Sequence, residues 1–160
     1  NKIFRKKVIV CAITVAVVLA AGVGGYAFMT LSKTMIPYEK SGVSISAVTL
    51  AEDSQNAYLY FSIDASDAAG TVCHDPVTVQ TEDGEKTVVI LYAYTTPWSR
   101  YIEPRFGNNS DGESGMTYQM LGNADEIDEV YYGEFEPASE FYEDPAGFLE
   151  KAELIWSGKE

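Results

Sequence analysis

The hydrophobic pattern of this chain changes once, and the change divides it. From Val8 to Met29 the residues VIVCAITVAVVLAAGVGGYAFM are apolar or small and none is charged. An unbroken run of roughly 20 such residues is long enough to cross a hydrocarbon core of about 30 Å as a helix. After Pro37 the apolar residues recur with a period of two, the mark of half-buried strands. Gly42 to Leu50 (GVSISAVTL) places Val43 and Ile45 on one parity and Val48 and Leu50 on the other, a switch that predicts a bulge or a strand buried at one end on each face. A polar turn over residues 52–56 leads to Ala57–Ile63 (AYLYFSI), rich in strand-forming residues. Residues 43–63 thus predict a hairpin.

The same logic continues along the chain. Asp64–Asp75 predicts an irregular loop. Val77–Thr81 and Lys86–Tyr94 flank an Asp83-Gly84 turn, a strong hairpin signal. Val88, Ile90, Tyr92 and Tyr94 share one face of the second strand, and Val89 and Leu91 the other. That strand is apolar on both sides and is expected at the centre of its sheet. Pro97, Pro104, Gly107, Gly112 and Gly115 mark residues 95–115 as a loop. Strands are expected at Met116–Leu121 and Ile127–Phe135, with Gly122–Asp125 as the turn between them. Residues 137–144 predict a second loop. Asp144-Pro145 is a cap followed by Pro at the first helical position, so Ala146–Lys151 predicts a short helical turn. Glu153–Trp156 closes the set. About seven short strands with closely spaced turns predict an all-β fold, an antiparallel immunoglobulin-like β-sandwich preceded by one N-terminal transmembrane helix. The expected organisation is a basic flank at 1–7, a membrane segment at 8–29, a linker at 30–41 and an extracytoplasmic domain at 42–160.

Charge sets the orientation and narrows the partners. Lys2, Arg5, Lys6 and Lys7 precede the apolar run, which predicts a cytoplasmic N-terminus and a single-pass protein with its domain outside the cell. A cleaved signal peptide stays open as the alternative, because Val8–Ala21 also fits an h-region of roughly 7–15 residues and Gly25-Tyr26-Ala27 is a passable cleavage site. Gly22, Gly24 and Gly25 are expected to loosen the outer end of the run. The chain opens on Asn1 rather than Met, which suggests a segment of a longer protein with a cytoplasmic part upstream; a trimmed end with nothing important removed fits equally. The whole chain carries a formal charge of −13. From Tyr38 onward, six basic residues face 24 acidic ones, a formal −18. Nucleic acid is excluded as a natural partner, because phosphate binding needs clustered Lys and Arg. The same charge disfavours lying flat on an anionic membrane. A cationic protein, peptide or envelope ligand suits it, and so does plain solubility.

Little of the chain suits catalysis. Cys11 lies in the apolar run and Cys73 has no second cysteine outside it, so no disulfide framework is expected. A buried Cys73 acting as a small hydrophobe fits best. Cys73-His74-Asp75 are consecutive, and on an extended chain neighbours point to opposite sides, which does not make a nucleophile–base line. There is no G-x-S-x-G elbow, and too few Cys and His for zinc. Asn108, Asn109, Asp111 and Glu113 could supply oxygens to Ca²⁺, but without the EF-hand spacing a solvated turn is the better reading. No catalytic residue, metal or cofactor is assigned. Trp98, Tyr101, Phe141 and Tyr142 fall in expected loops among carboxylates and are the candidates for contact with a protein, peptide or envelope ligand.

The anchor followed by SGVSISAVTLAEDSQNAYLYFSID resembles the start of an extracytoplasmic domain family of Gram-positive bacteria. Such domains occur on membrane-anchored anti-sigma factors and related uncharacterised envelope proteins. Gly42, Val43 and Ile45 match its first strand, and Tyr58, Leu59, Tyr60, Phe61 and Ile63 its aromatic second strand. The resemblance covers about a third of the chain. It implies a β-sandwich sensor or binding domain with no catalytic residues, the outer part of an anti-sigma-factor-like regulator. A structural or adhesive envelope module is the alternative.

Overall fold

The computed structural model describes residues 2–50, 53–103, 119–135 and 138–158. Its first element, α1 (Lys2–Leu31), is one helix long and apolar enough to span a membrane. The apolar side chains from Ile3 to Tyr26 are exposed all round it. A helix apolar on every face has no polar side to turn to water, which suits lipid surroundings. The helix passes through Gly22, Gly24 and Gly25 without a break, so the expected loosening there is absent.

The linker expected over 30–41 is part of the fold. Thr34–Met35 forms a two-residue strand, β1. Ile36 is buried and its N–H donates to the Ala93 carbonyl at 2.8 Å. Tyr38–Ser41 forms a helical turn, α2, that ends on Gly42 at φ 57°. A side chain at Gly42 would place its Cβ 2.9 Å from the Asp64 carbonyl oxygen, so both the backbone angle and the space require glycine.

The strands that follow form two mostly antiparallel sheets. β2 (Ser44–Leu50) and β3 (Asp53–Ser62) make the first expected hairpin; the register is regular through the parity switch, from Ser44 to Thr49, and shifts only between Thr49 and Leu50. β4 is Gly70–Cys73, β5 is Val77–Thr81 and β6 is Gly84–Thr95. β5 and β6 pair as expected, with Thr81 opposite Gly84. After β6 come helix α3 (Pro97–Tyr101), β7 (Gln119–Asn123) and β8 (Glu129–Tyr132). Two short helices, α4 (Ala138–Glu143) and α5 (Pro145–Leu149), precede β9 (Glu153–Ser157). The Asp144 side chain caps α5 by accepting from the Gly147 N–H at 3.0 Å. α4 occupies ground expected to be loop.

β2, β3 and β7 form a three-stranded sheet. The other sheet is built on β6, which carries β4 and β5 end to end along one edge and β8 and β1 along the other, with β9 beyond β8. Val88–Ala93 of β6 are all buried, as a central strand requires. Leu59 and Phe61 of β3, and Ile63 just after it, join them in one core with Val130 and Tyr132 of β8. β8 departs from the expected antiparallel pattern, because it runs parallel to β6. The chain between these two strands visits the other sheet as β7, so it enters β8 in the direction of β6.

An ion pair clamps that parallel pair. Lys86 Nζ lies 2.9 Å from Glu129 Oε1, and the Tyr131 hydroxyl donates to Glu129 Oε2 at 2.7 Å. Burial pushes the Glu129 carboxyl up, but the hydrogen bonds from Tyr131 and Lys86 outweigh it and leave its pKa below the ordinary value. The hydrogen bond to Glu129 raises Lys86. The depressed Glu129 adds stability that is present above the unfolded value of about 4.3 and lost as pH falls; the raised Lys86 adds stability present below about 10.4 and lost as pH rises. Below about pH 4.3 the wild type should therefore lose urea resistance more steeply than Glu129→Gln. Equal acid limbs in the two proteins would show that the carboxylate contributes nothing.

Candidate functional site

The four aromatic candidates separate into two places. Trp98 and Tyr101 lie on α3 and are exposed. Phe141 and Tyr142 lie on α4, with ring centroids 5.5 Å apart. Phe141 differs from expectation: it is 1% exposed and packs against Phe148 at 5.4 Å, as core. Its loop-like surroundings in sequence concealed a helix that turns it inward. Tyr142 remains exposed, and its hydroxyl lies 2.8 Å from His74 Nε2. His74 Nδ1 lies 2.7 Å from the Asp75 carbonyl, which can only accept, so Nδ1 donates. Asn108, Asn109, Asp111 and Glu113 lie outside the described residues. Among the described residues no group of three or more His, Cys, Asp or Glu side chains is placed to hold a metal ion.

Cys73 and Cys11 are free thiols. Cys73 Sγ lies 3.5 Å from the carbonyl of His74. Burial, and then the nearby Asp75 carboxylate, push the Cys73 thiol up to about 11. It is protonated at neutral pH and suits packing better than nucleophilic work.

A groove of about 820 Å³ lies elsewhere on the surface of the described residues. This is within the range of roughly 300–1,000 Å³ typical of ligand pockets. Three segments distant in sequence line it. Met35, Pro37, Tyr38 and Glu39 come from the stretch after α1; Tyr132, Gly133 and Glu134 from the end of β8; Phe148, Lys151, Ala152 and Glu153 from α5 and the start of β9. The Tyr38 and Tyr132 rings meet with centroids 5.8 Å apart. Gly133 lets the β8 end approach β9 closely, since a Cβ there would lie 3.1 Å from that of Ala152. Tyr132 is buried and donates its hydroxyl to the Ile36 carbonyl at 2.6 Å. Burial raises its pKa, against the hydrogen bond from Ala93.

The groove can hold a mixed apolar and cationic group. Glu39, Glu134 and Glu153 are exposed and face a single lysine, Lys151. Met35, Phe148 and the tyrosine rings supply apolar contact. None of Trp98, Tyr101, Phe141 and Tyr142 lines it. The sequence signal for it was weak: a short Thr34-Met35-Ile36 run ahead of Pro37, with an aromatic and an acidic residue next. No protein-family model, curated protein or solved structure matches the chain.

Proposed function

We propose that this chain is a single-pass, membrane-anchored extracytoplasmic binding domain, with Lys2–Lys7 on the cytoplasmic side, that takes up a cationic, partly apolar ligand in the acidic groove. A basic peptide or protein segment is the ligand class that suits the rim. One observation carries the reading: residues 35–39, directly after the membrane helix, form one wall of the groove. Occupancy therefore bears on the segment leading into the anchor, as a sensor needs, whereas an adhesive module has no use for that link. The role is binding, not catalysis. The outer part of an anti-sigma-factor-like regulator is the corresponding biological setting, supported by the resemblance over Gly42–Ile63. An immunoglobulin-like wiring belongs to the same proposal; two mostly antiparallel sheets around one core support it, and the parallel β6–β8 pair departs from it.

The test uses the full chain in lipid nanodiscs and a short peptide of lysine and leucine. Calorimetry should record binding that weakens with salt. An exposed ion pair is worth about 0.2–1 kcal/mol, so the double variant Glu39→Gln with Glu153→Gln should bind roughly 2- to 30-fold more weakly. Equal binding by both proteins would remove the groove from the proposal.

A further inference from the structure

Helix α3 packs against α1, and polar contacts tie it to the fold. Thr96 and Ser99 form a reciprocal cap: the Ser99 N–H donates to Thr96 Oγ1 at 3.1 Å and the Thr96 N–H to Ser99 Oγ at 3.0 Å. The Ser99 hydroxyl also donates to the Asp67 carbonyl at 2.9 Å. Arg100 donates to Thr95 Oγ1 at 2.9 Å and its Nε lies 3.9 Å from the Asp67 carboxylate. Ser99 is buried by these contacts. Trp98 and Tyr101, three positions apart and so neighbours on a helix surface, are left 40% and 55% exposed.

The membrane helix fixes the level of this face. Its apolar run begins at Val8, directly after Lys7. Roughly 20 helical residues cross the hydrocarbon core, which sets the outer boundary near Ala27. Tyr26 lies at that boundary, and the Trp98 ring meets the Tyr26 ring edge-on with centroids 6.0 Å apart. The Trp98 ring centre therefore lies within 6.0 Å of the Tyr26 ring centre in depth. Trp and Tyr favour the headgroup layer, where an apolar ring and a polar edge are both accommodated.

We propose that α3 is a membrane-interface element: Trp98 and Tyr101 sit in the lipid headgroup layer of the bilayer that α1 spans, and fix the domain against it. This rests on the reading of α1 as a membrane anchor. The contact needs no basic surface on the domain as a whole, because the aromatic rings supply it. The cations at this end, Arg100 and Lys33, are suited to lipid phosphates, and Lys33 lies 4.9 Å from the centre of the Tyr94 ring. The proposal gives Trp98 and Tyr101 a lipid partner in place of a peptide or protein.

Depth-dependent fluorescence quenching tests it. The full chain carrying Trp156→Phe, which leaves Trp98 as the one tryptophan, is reconstituted into phosphatidylcholine vesicles. The lipids are brominated either near the glycerol end or near the methyl end of their chains. Trp98 emission should be quenched strongly by the shallow bromines, weakly by the deep ones and weakly by aqueous iodide. Full iodide quenching with no bromine quenching, in a chain that floats with the vesicles, would overturn the interfacial assignment and leave the anchor standing. Stronger quenching by the deep bromines would overturn it too. A chain that does not float with the vesicles would overturn the anchor, and this proposal with it. If Trp156→Phe fails to fold, subtracting the emission of Trp98→Phe from that of the wild type isolates the same signal.

Discussion

Phe61→Ala should cost the domain about 3–5 kcal/mol, the range for truncating a fully buried phenylalanine. Phe61 is 0% exposed on β3, the middle strand of the smaller sheet, with Ile45 opposite it on β2 and Gln119 on β7. Burial alternates from Tyr58 to Phe61 of β3: Leu59 and Phe61 enter the common core, as does Ile63 just beyond the strand, while Tyr58 and Tyr60 are half-buried. These inward side chains are the packing between the two sheets. Removing the largest of them loses its transfer free energy and leaves a cavity that the neighbouring strands cannot fill, since their backbone ladders hold them in place. Total stability of a domain is only about 5–15 kcal/mol, so the variant sits close to unfolding. Urea unfolding in detergent micelles, followed by near-ultraviolet circular dichroism, measures the loss. Tyr60→Ala on the other face of the same strand is the control and should cost much less. Equal losses at the two positions would mean that β3 does not divide its faces in this way.

Features held by local signals were legible in the sequence. The Asp83-Gly84 turn and the alternating runs beside it define the β5–β6 hairpin. The β2–β3 hairpin follows from the alternation of Val43 and Ile45 and the strand-forming run after the polar turn, whereas the parity switch at Val48 does not locate the irregularity, which lies between Thr49 and Leu50. The apolar residues on both parities of 88–94 mark β6 as central, and Asp144-Pro145 marks the start of α5. Features made by distant pairing were not legible. β1 is two residues long, and Thr34 and Met35 become a strand only because the β6 edge at Tyr94 and Thr95 is open to them. The parallel β6–β8 pair depends on the route of the intervening chain, which no periodicity encodes. α4 is too short to declare a helical period, so Phe141 looked like a loop aromatic.

The candidate site was legible only in its chemistry. An acidic surface interleaved with aromatic residues is plain in the composition. The groove itself is not, because its walls come from residues 35–39, 132–134 and 148–153. Trp98 was recognisable as an exposed aromatic. Its ring contact with Tyr26, 72 positions earlier in the chain, comes from tertiary structure alone.

Tyr132→Phe should destabilise the domain by about 2–6 kcal/mol and loosen the segment between the groove and α1 selectively. The Tyr132 hydroxyl donates to the Ile36 carbonyl at 2.6 Å and accepts from the Ala93 N–H at 3.2 Å. It is 2% exposed. Phenylalanine keeps the ring, and with it the contact to Tyr38, but leaves a buried donor and a buried acceptor without this partner. Each such group costs about 1–3 kcal/mol. The Ile36 N–H bond to Ala93 remains, so the segment is weakened and not released. Hydrogen exchange should therefore quicken at residues 34–38 more than at the β2–β3 hairpin, which Tyr132 does not touch through this hydroxyl. The lysine–leucine peptide should still bind, since the rim carboxylates are intact, but should no longer restore full protection to residues 34–38. A uniform rise in exchange across both sheets would place the role of Tyr132 in general stability. Unchanged exchange at 34–38 would remove the hydroxyl as the link between the groove and the segment that follows α1.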